Sequence, residues 1–293
     1  MCKTGLVAVV GVPNVGKSTL INSLLGEKVA IVSEKAQTTR EAQIGILTLG
    51  ENQMLLIDTP GISKPRHLLD KKIMSDAMSR ISESDVVLWI VDVSKSPREK
   101  DRQVIELILK SNYTNKIVIA MNKMDLLNPK HVISNTDLYR DLCPSAKWML
   151  VSGLKQLNLD KLVEQILDLL PNGSKFYNDD EITDMSARKM ASELMREASL
   201  KYLRDEIPHG VAVIVEAFDE KDGYVNIEAV LIVENDRHKS IVIGKNGNMI
   251  KRIGITSRLN IEKMMDKRVN LDTHVKVQYD WRNNPGKLQY VGY

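Results

Sequence analysis

The chain has 293 residues, enough for two domains that each bury their own core, and its 43% hydrophobic and 27% charged fractions are those of an ordinary soluble protein. Its two cysteines, Cys2 and Cys143, stand far apart without metal-ligand spacing, so neither a disulfide framework nor a zinc site is expected and a reducing cytosol is the expected compartment. The most apolar run, Val86 to Val93, is far shorter than a bilayer span and carries Asp92, which argues against a transmembrane helix.

The first motif begins at Gly11, which leaves no room after Met1 for a signal or transit peptide. Leu6 to Val10 reads as a buried strand and Thr19 to Leu25 as a helix closed by Gly26. Between them, Gly11-Val12-Pro13-Asn14-Val15-Gly16-Lys17-Ser18 fits the phosphate-binding pattern of a glycine, four variable residues and Gly-Lys-Ser. The N–H groups of Asn14 to Thr19 and the positive end of the helix dipole would converge on one anion. Lys17 supplies a charge for the terminal phosphates, and the Ser18 hydroxyl can ligate Mg²⁺.

Lys35-Ala36-Gln37-Thr38-Thr39-Arg40 is a polar segment ahead of a strand-like run, Ile44 to Leu49. A threonine in such a loop can bring a hydroxyl and an N–H to Mg²⁺ and the γ-phosphate. Met54 to Ile57 then reads as a strand ending in Asp58-Thr59-Pro60-Gly61, where Asp58 is placed to hold Mg²⁺ through a water and Gly61 to present its N–H to the γ-phosphate. Strand-like runs at Val86 to Val93 and Ile117 to Met121 are each followed by helical patterns. Such alternation argues a doubly wound, parallel α/β sheet with its ligand at the C-terminal edge of the strands.

Asn122-Lys123-Met124-Asp125 follows the Ile117 strand. A carboxylate at Asp125 can accept hydrogen bonds from the ring N–H and exocyclic amine of guanine, a donor pair that adenine lacks. Lys123 can lay its stem along the base, and Asn122 can tie this turn to the phosphate loop. After the last strand, Trp148 to Val151, the backbone of Ser152-Gly153-Leu154 can reach the guanine carbonyl. An amphipathic helix from Leu159 to Leu170 closes the domain before Pro171-Asn172-Gly173-Ser174.

This motif set resembles that of translation-factor-type small GTPases, and the Thr38-Thr39-Arg40 form is similar to the Era family within the TrmE-Era-EngA-YihA-Septin-like class. The resemblance implies that Thr39, directly before the arginine, is the Mg²⁺ ligand beside Ser18 and Asp58. It also implies that Asn14 helps hold K⁺ beside the phosphates, with Lys17, Thr39, Gly61 and Asn14 serving hydrolysis. Ser152-Gly153 departs from the usual Ser-Ala. Ile62 stands where Ras-like enzymes place a water-orienting glutamine, so intrinsic hydrolysis should be slow unless a cation such as K⁺ supplies the missing electrostatics.

Domains are expected at 1–172 and 183–293 with a linker at 173–182. In the second, Thr183 to Glu206 reads as a long helix, Val211 to Phe218 and Val225 to Glu234 as a hairpin about Asp222-Gly223, then a helical run to Met265 and a strand from Val269 to Val277. The order is α-β-β-α-α-β. The net charge of +3 hides an acidic block at 177–236, with 6 Lys/Arg against 15 Asp/Glu, ahead of a basic block at 237–287, with 12 against 4. Inside the basic block, Gly244-Lys245-Asn246-Gly247 matches the loop that clamps nucleotide backbone in KH domains. Ile241 and Ile243 can floor a groove, and Lys251 and Arg252 are expected phosphate contacts. Ile253-Gly254 is read as a helix irregularity. Trp281 in Asp280-Trp281-Arg282 is either a base-stacking or a packing residue, packing being the commoner case.

A GTPase domain followed by a type II KH domain, with Glu206-Ile207-Pro208-His209, Ile250 to Gly254 and Trp281-Arg282 in order, resembles the Era family over essentially the whole chain. That resemblance implies a GTP-hydrolysing switch with GTP/GDP and Mg²⁺, acting on the 3′ end of small-subunit ribosomal RNA during assembly of the 30S subunit. It also implies a cytoplasmic protein, monomeric and peripherally associated with the inner membrane. Two rivals remain: an RNA-binding scaffold with structurally bound nucleotide, and a P-loop kinase or ATPase, against which Asp125 argues.

Overall fold

The computed structural model describes residues 2–33, 35, 38–62, 65–111 and 116–293. Ala36 and Gln37 of the polar segment lie outside the described residues. The chain divides into two compact units, one running to Lys64 and from Lys72 to Asp184, the other comprising Pro65–Lys71 and Met185–Tyr293.

The first unit is an α/β sandwich. Its strands are β1 (Thr4–Val10), β2 (Gln43–Leu49), β3 (Asn52–Asp58), β4 (Val86–Asp92), β5 (Ile117–Asn122) and β6 (Lys147–Leu150), in sheet order β2-β3-β1-β4-β5-β6. All neighbours are parallel except β2 and β3, which form an antiparallel hairpin. The doubly wound, parallel sheet expected from the sequence thus carries one antiparallel edge strand. Only Gly50 and Glu51 separate the two strands, too few residues for a parallel crossover, and Gly50 takes a φ of 57°.

Alternation along the strands splits the core into two layers. Val7, Val9, Leu56, Leu88 and Ile90 pack on one face with α1 (Lys17–Leu25) and α5 (Leu159–Leu169). Ala8, Val10, Val87, Trp89 and Val91 pack on the other with the part of α2 (Leu68–Glu83) from Lys72 onward, α3 (Glu99–Lys110) and α4 (Val132–Leu142). Each fully buried Val, Leu or Ile contributes about 1.5–3 kcal/mol, so both layers hold the sheet rigidly. In the register Val9 pairs with Asp58 and Asp92 with Asn122, bringing the polar ends of β3, β4 and β5 to one edge beside the end of β1.

Residues 171–184 form an ordered strap on this unit. Gln53, fully buried, accepts from the N–H groups of Phe176 (2.8 Å) and Tyr177 (3.0 Å) and donates to the Tyr177 carbonyl (3.0 Å). Farther along, Ile46 N–H donates to the Ile182 carbonyl and Thr183 Oγ1 to the Ile44 carbonyl.

In the second unit α6 (Ala187–Tyr202) and α8 (Asn248–Met265) cover a three-stranded sheet of β7 (Ala212–Lys221), β8 (Tyr224–Val233) and β9 (Arg268–Val277), with α7 (Asp236–Ile243) before α8 and α9 (Pro285–Val291) at the end. β7 and β8 are antiparallel about the Asp222-Gly223 turn, and β8 and β9 are parallel. The helix expected over Thr183 to Glu206 starts later, because Thr183 is bound to the first unit's sheet and Ser186 caps the Lys189 N–H, and ends earlier, because Leu203 turns to extended backbone. The irregularity expected at Ile253-Gly254 is absent: α8 is continuous there, Ile253 is fully buried, and Gly254 is a small residue facing Thr273 of β9.

Gln53→Leu would leave the Phe176 and Tyr177 N–H groups unpaired. We expect a loss of about 1–3 kcal/mol and faster proteolytic nicking within 173–184; an unchanged denaturation midpoint and nicking rate would refute this account of the strap.

Candidate nucleotide and nucleic-acid sites

The phosphate loop is held by its own backbone requirements. Gly16 takes a φ of 98°, and a Cβ there would lie 2.4 Å from Asn122 Nδ2; a Cβ on Gly11 would lie 2.4 Å from the Ile90 carbonyl oxygen. Only glycine fits at either point. Asn122 Nδ2 donates to the Val15 carbonyl (2.8 Å), while its Oδ1 accepts the Gly153 N–H (3.0 Å). One side chain therefore ties the phosphate loop to both turns of the base side. Thr59 Oγ1 adds a bond to the Val9 carbonyl (2.7 Å), and a Cβ on Gly61 would press on Pro13 at 3.0–3.2 Å, so the Asp58 to Gly61 segment lies against the loop.

Asn14, Gly16, Lys17, Ser18, Thr19, Thr39, Gly61 and Lys123 line a single cleft of about 330 Å³. Ser18 Oγ and Thr39 Oγ1 each donate to Asp58 Oδ2 at 2.8 Å and lie 3.4 Å apart, and Asp58 Oδ1 is buried without a hydrogen-bond partner among the described residues. Burial pushes the Asp58 carboxyl up, against the charge of Lys17 and the hydroxyl bonds. Burial likewise pushes Lys17 down to about 8, against the pull of Asp58, while its Nζ donates to the Gly11 and Val12 carbonyls. Three hard oxygens around an undercompensated carboxylate fit Mg²⁺, which takes few protein ligands and keeps its other positions for water and phosphate.

On the base side, Lys123 has a φ of 64° and stretches along the cleft, its Nζ donating to the Asn14 carbonyl (2.7 Å) and to Asp92 Oδ2 (2.9 Å). Asp125 is exposed in the short turn that follows. Of the three N–H groups at 152–154, Ser152 donates to the Leu157 carbonyl and Gly153 to Asn122, which narrows the contact to Leu154. A Cβ at Gly153 would crowd the Leu20 backbone at 3.1–3.2 Å, a physical reason for glycine here.

Sequence reasoning missed Asp92 and Asn22. Asp92 was legible only as a polar residue ending an apolar run. Burial pushes its carboxyl up, but bonds from Ser94 and Lys123 and the charges of Lys123 and Lys95 hold it below the usual range. Asn22 Oδ1 accepts from the Val29 and Ala30 N–H groups and its Nδ2 donates to the Ala30 carbonyl, shaping the loop that brings Ile31, Val32 and Ser33 to the cleft wall.

In the second unit, Gly244 and Gly247 both have φ of 74° and Asn246 has 53°. A Cβ on Gly244 would lie 2.7 Å from Met249 Cβ, so the loop turns tightly onto α8. Lys245, Asn246, Lys251 and Arg252 are exposed, as is Ile241 (38%), whereas Ile243 is half-buried. Trp281 is wholly buried, donates from Nε1 to the Gly210 carbonyl (3.0 Å) and stacks on Tyr293, which decides for packing over base stacking. Arg282 makes a two-pronged ion pair with Glu234 beside it.

The 50S ribosome-binding GTPase family model matches residues 6–123, and the KH domain model matches 206–282. GTPase Era of Ruminiclostridium cellulolyticum is 39% identical over 99% of this chain and 97% of that protein, and GTPase Era of Clostridium perfringens is 40% identical over 100% and 99%. The chain belongs to the Era family of GTPases. Two solved Era structures agree in fold at 35% identity. One, in complex with MgGDPNP and nucleotides 1506–1542 of 16S ribosomal RNA, has a TM-score of 0.95 and covers 100% of this chain and 99% of that one. The other, an Aquifex aeolicus Era variant bound to GDP·AlF₄⁻, has a TM-score of 0.94 with 99% of both covered.

In this Era-family chain Ile62 is a core residue, 5% exposed and packed with Ala8, Val10 and Ile81. Ile62→Gln should therefore cost about 1–3 kcal/mol of stability, by burying an amide, without raising GTP turnover; a faster enzyme of unchanged stability would overturn this placement. Asp92→Asn should remove the charged one of the two anchors of Lys123, leaving the Asn14 carbonyl, and speed GDP release about tenfold, as loss of a charge-assisted hydrogen bond implies. Stopped-flow displacement of a fluorescent GDP analogue reads this directly, and an unchanged rate would remove Asp92 from nucleotide binding.

Proposed function

We propose that the chain is a GTP-hydrolysing switch that binds the 3′ end of small-subunit ribosomal RNA and acts in small-subunit assembly. The observation that carries this reading is the joining, in one chain, of a phosphate and guanine cleft at one sheet edge with an exposed Gly-Lys-Asn-Gly loop on a KH-type unit. Two Era structures support it by their ligands, GDP·AlF₄⁻ in one and MgGDPNP with the 16S segment in the other.

The backbone of Asn14 to Thr19 and Lys17 cradle the phosphates, while Leu154 N–H and Asp125 read guanine. Ser18 and Thr39 hold Mg²⁺ with Asp58, the last through a water. Bound there, Mg²⁺ neutralises charge on the β- and γ-phosphates. Gly61 presents its N–H to the γ-phosphate. Because Ile62 is core, we assign the missing electrostatics to K⁺ held beside Asn14, whose exposed position on the cleft wall leaves it access to the phosphates. Higher turnover in K⁺ than in Na⁺ buffer is expected, and equal turnover would sink this assignment.

Ile241, Ile243, Gly244 to Gly247, Lys251 and Arg252 form the RNA site. GTP orders the Thr39 loop, which leads into β2, and β2 donates from the Ile46 N–H to the Ile182 carbonyl and accepts the Thr183 hydroxyl at the Ile44 carbonyl, both on the strap that ends at Asp184. We take this continuous path as the route by which nucleotide state reaches RNA affinity. The protein acts in the cytoplasm, and its contact with the membrane is peripheral; among the described residues no helix is long and apolar enough to cross one.

The test is affinity for a short RNA of the 16S 3′ end, at fixed salt, with GTP analogue, GDP or neither. Tighter binding with the analogue is expected, lost on Lys245→Asp with Asn246→Asp. By linkage, RNA must then tighten GTP binding by the same factor. Equal binding in all three states, with negligible turnover, would favour the scaffold reading.

A further inference from the structure

Tyr202, the last residue of α6, lies under a cation. The Arg252 guanidinium carbon sits 4.4 Å from its ring centroid, and Lys201 Nζ lies 5.5 Å away. The ring itself is pinned, because Tyr202 Oη and Thr256 Oγ1 share a hydrogen bond of 2.8 Å. Arg252 and Thr256 are four residues apart on α8, so they share one helix face and grip the same ring. Arg252 is exposed, and it lies little more than one turn beyond Gly247, where the nucleotide-clamping loop ends.

A guanidinium held 4.4 Å over a phenol ring has one side taken up by that ring. A phosphate contact does not need that arrangement: a mobile point charge serves, as Lys251 next to it provides. An exposed planar cation backed by an aromatic ring suits an unpaired base, and single-stranded RNA is commonly held on arginine planes and aromatic rings.

We propose that Arg252 is a base-stacking shelf for the nucleotide adjacent to the one clamped by Gly244 to Gly247, with Tyr202 and Thr256 as its positioning residues, and that Lys251 alone of the two cations meets phosphate. The proposal rests on the RNA-binding reading above and gives the two neighbouring cations different tasks. Arg252 favours any base, because every base offers a π face; it therefore contributes affinity and register without strong sequence preference.

The test uses the full chain and a ten-nucleotide single-stranded RNA copied from the 16S 3′ end, together with a series of the same RNA carrying one abasic site at successive positions. Arg252→Ala should weaken binding to the intact RNA about tenfold, in line with the usual worth of a stacked base. The penalty should vanish for one abasic position, and Arg252→Lys should behave like Arg252→Ala. Tyr202→Phe, which keeps the ring and loses the Thr256 bond, should show a smaller loss at that same position. Lys251→Ala should instead weaken every RNA in the series alike and reduce the slope of log affinity against log salt by about 0.7.

Equal penalties for Arg252→Ala across all abasic positions, with Arg252→Lys like wild type, would make Arg252 a phosphate contact and overturn the proposal while leaving the RNA-binding reading intact. No penalty at all would also overturn it. Failure of the unaltered protein to bind the RNA, or indifference to Lys245→Asp with Asn246→Asp, would remove the RNA-binding reading itself. Each outcome is read against the thermal midpoint, which an exposed residue such as Arg252 should leave unchanged.

Discussion

The amide of Asn122 is the constraint on which the nucleotide site depends. It closes one hydrogen bond to the Val15 carbonyl and another from the Gly153 N–H, so three loops from distant parts of the chain share a single side chain. Its position in turn demands glycine at 16, since any Cβ there would collide with the amide nitrogen. The parallel register delivers Asn122 to this point: β5 pairs with β4 so that Asn122 stands beside Asp92, and Asp92 fixes Lys123. Phosphate loop, base turn and the Ser152 turn are therefore one cooperative unit, and a loss at Asn122 would be felt at all three.

The strands and loops of this site were legible because each has a local cause. Continuous apolar runs mark buried parallel strands, and the loop motifs need special residues at fixed offsets. What was not legible depends on tertiary partners. Asp92 looks like any polar strand end until Lys123 reaches it from 31 residues away. Asn22 lies inside an ordinary helical stretch, and only the fold shows it shaping the loop after α1. Nor does the segment after Pro171 look like structure, being polar and broken by glycine. It becomes ordered because Gln53, on the neighbouring strand, supplies the acceptor that its backbone lacks.

The second unit shows the same division. Its element order and the glycine loop were readable, whereas Gly254 was misread because glycine in a helix signals a break only when nothing packs against it. Here α8 runs on without a break beside β9, and a Cβ at this position would meet Thr273 Oγ1 only at an ordinary 3.8 Å. Trp281 was ambiguous for the opposite reason. An aromatic residue after a strand suits either solvent or core, and the Gly210 carbonyl and the Tyr293 ring decide for core.

The two sites differ in how they hold charge. Lys17 and Asp58 are both buried, and burial works against the charged form of each. Such a pair is a standing cost that a bound phosphate and divalent cation offset, so the folded state of the first unit gains stability with every ligand that binds it and not the unfolded chain. The loop and the first turns of α8 hold their cations at the surface instead, where desolvation is slight and phosphate contacts are screened by salt. By mass action any ligand of a folded unit stabilises that unit, so the two sites differ in the charge each must bury and not in whether binding adds stability. The cleft of the first unit therefore carries the larger desolvation cost, and the exposed cations of the loop and α8 the larger sensitivity to salt.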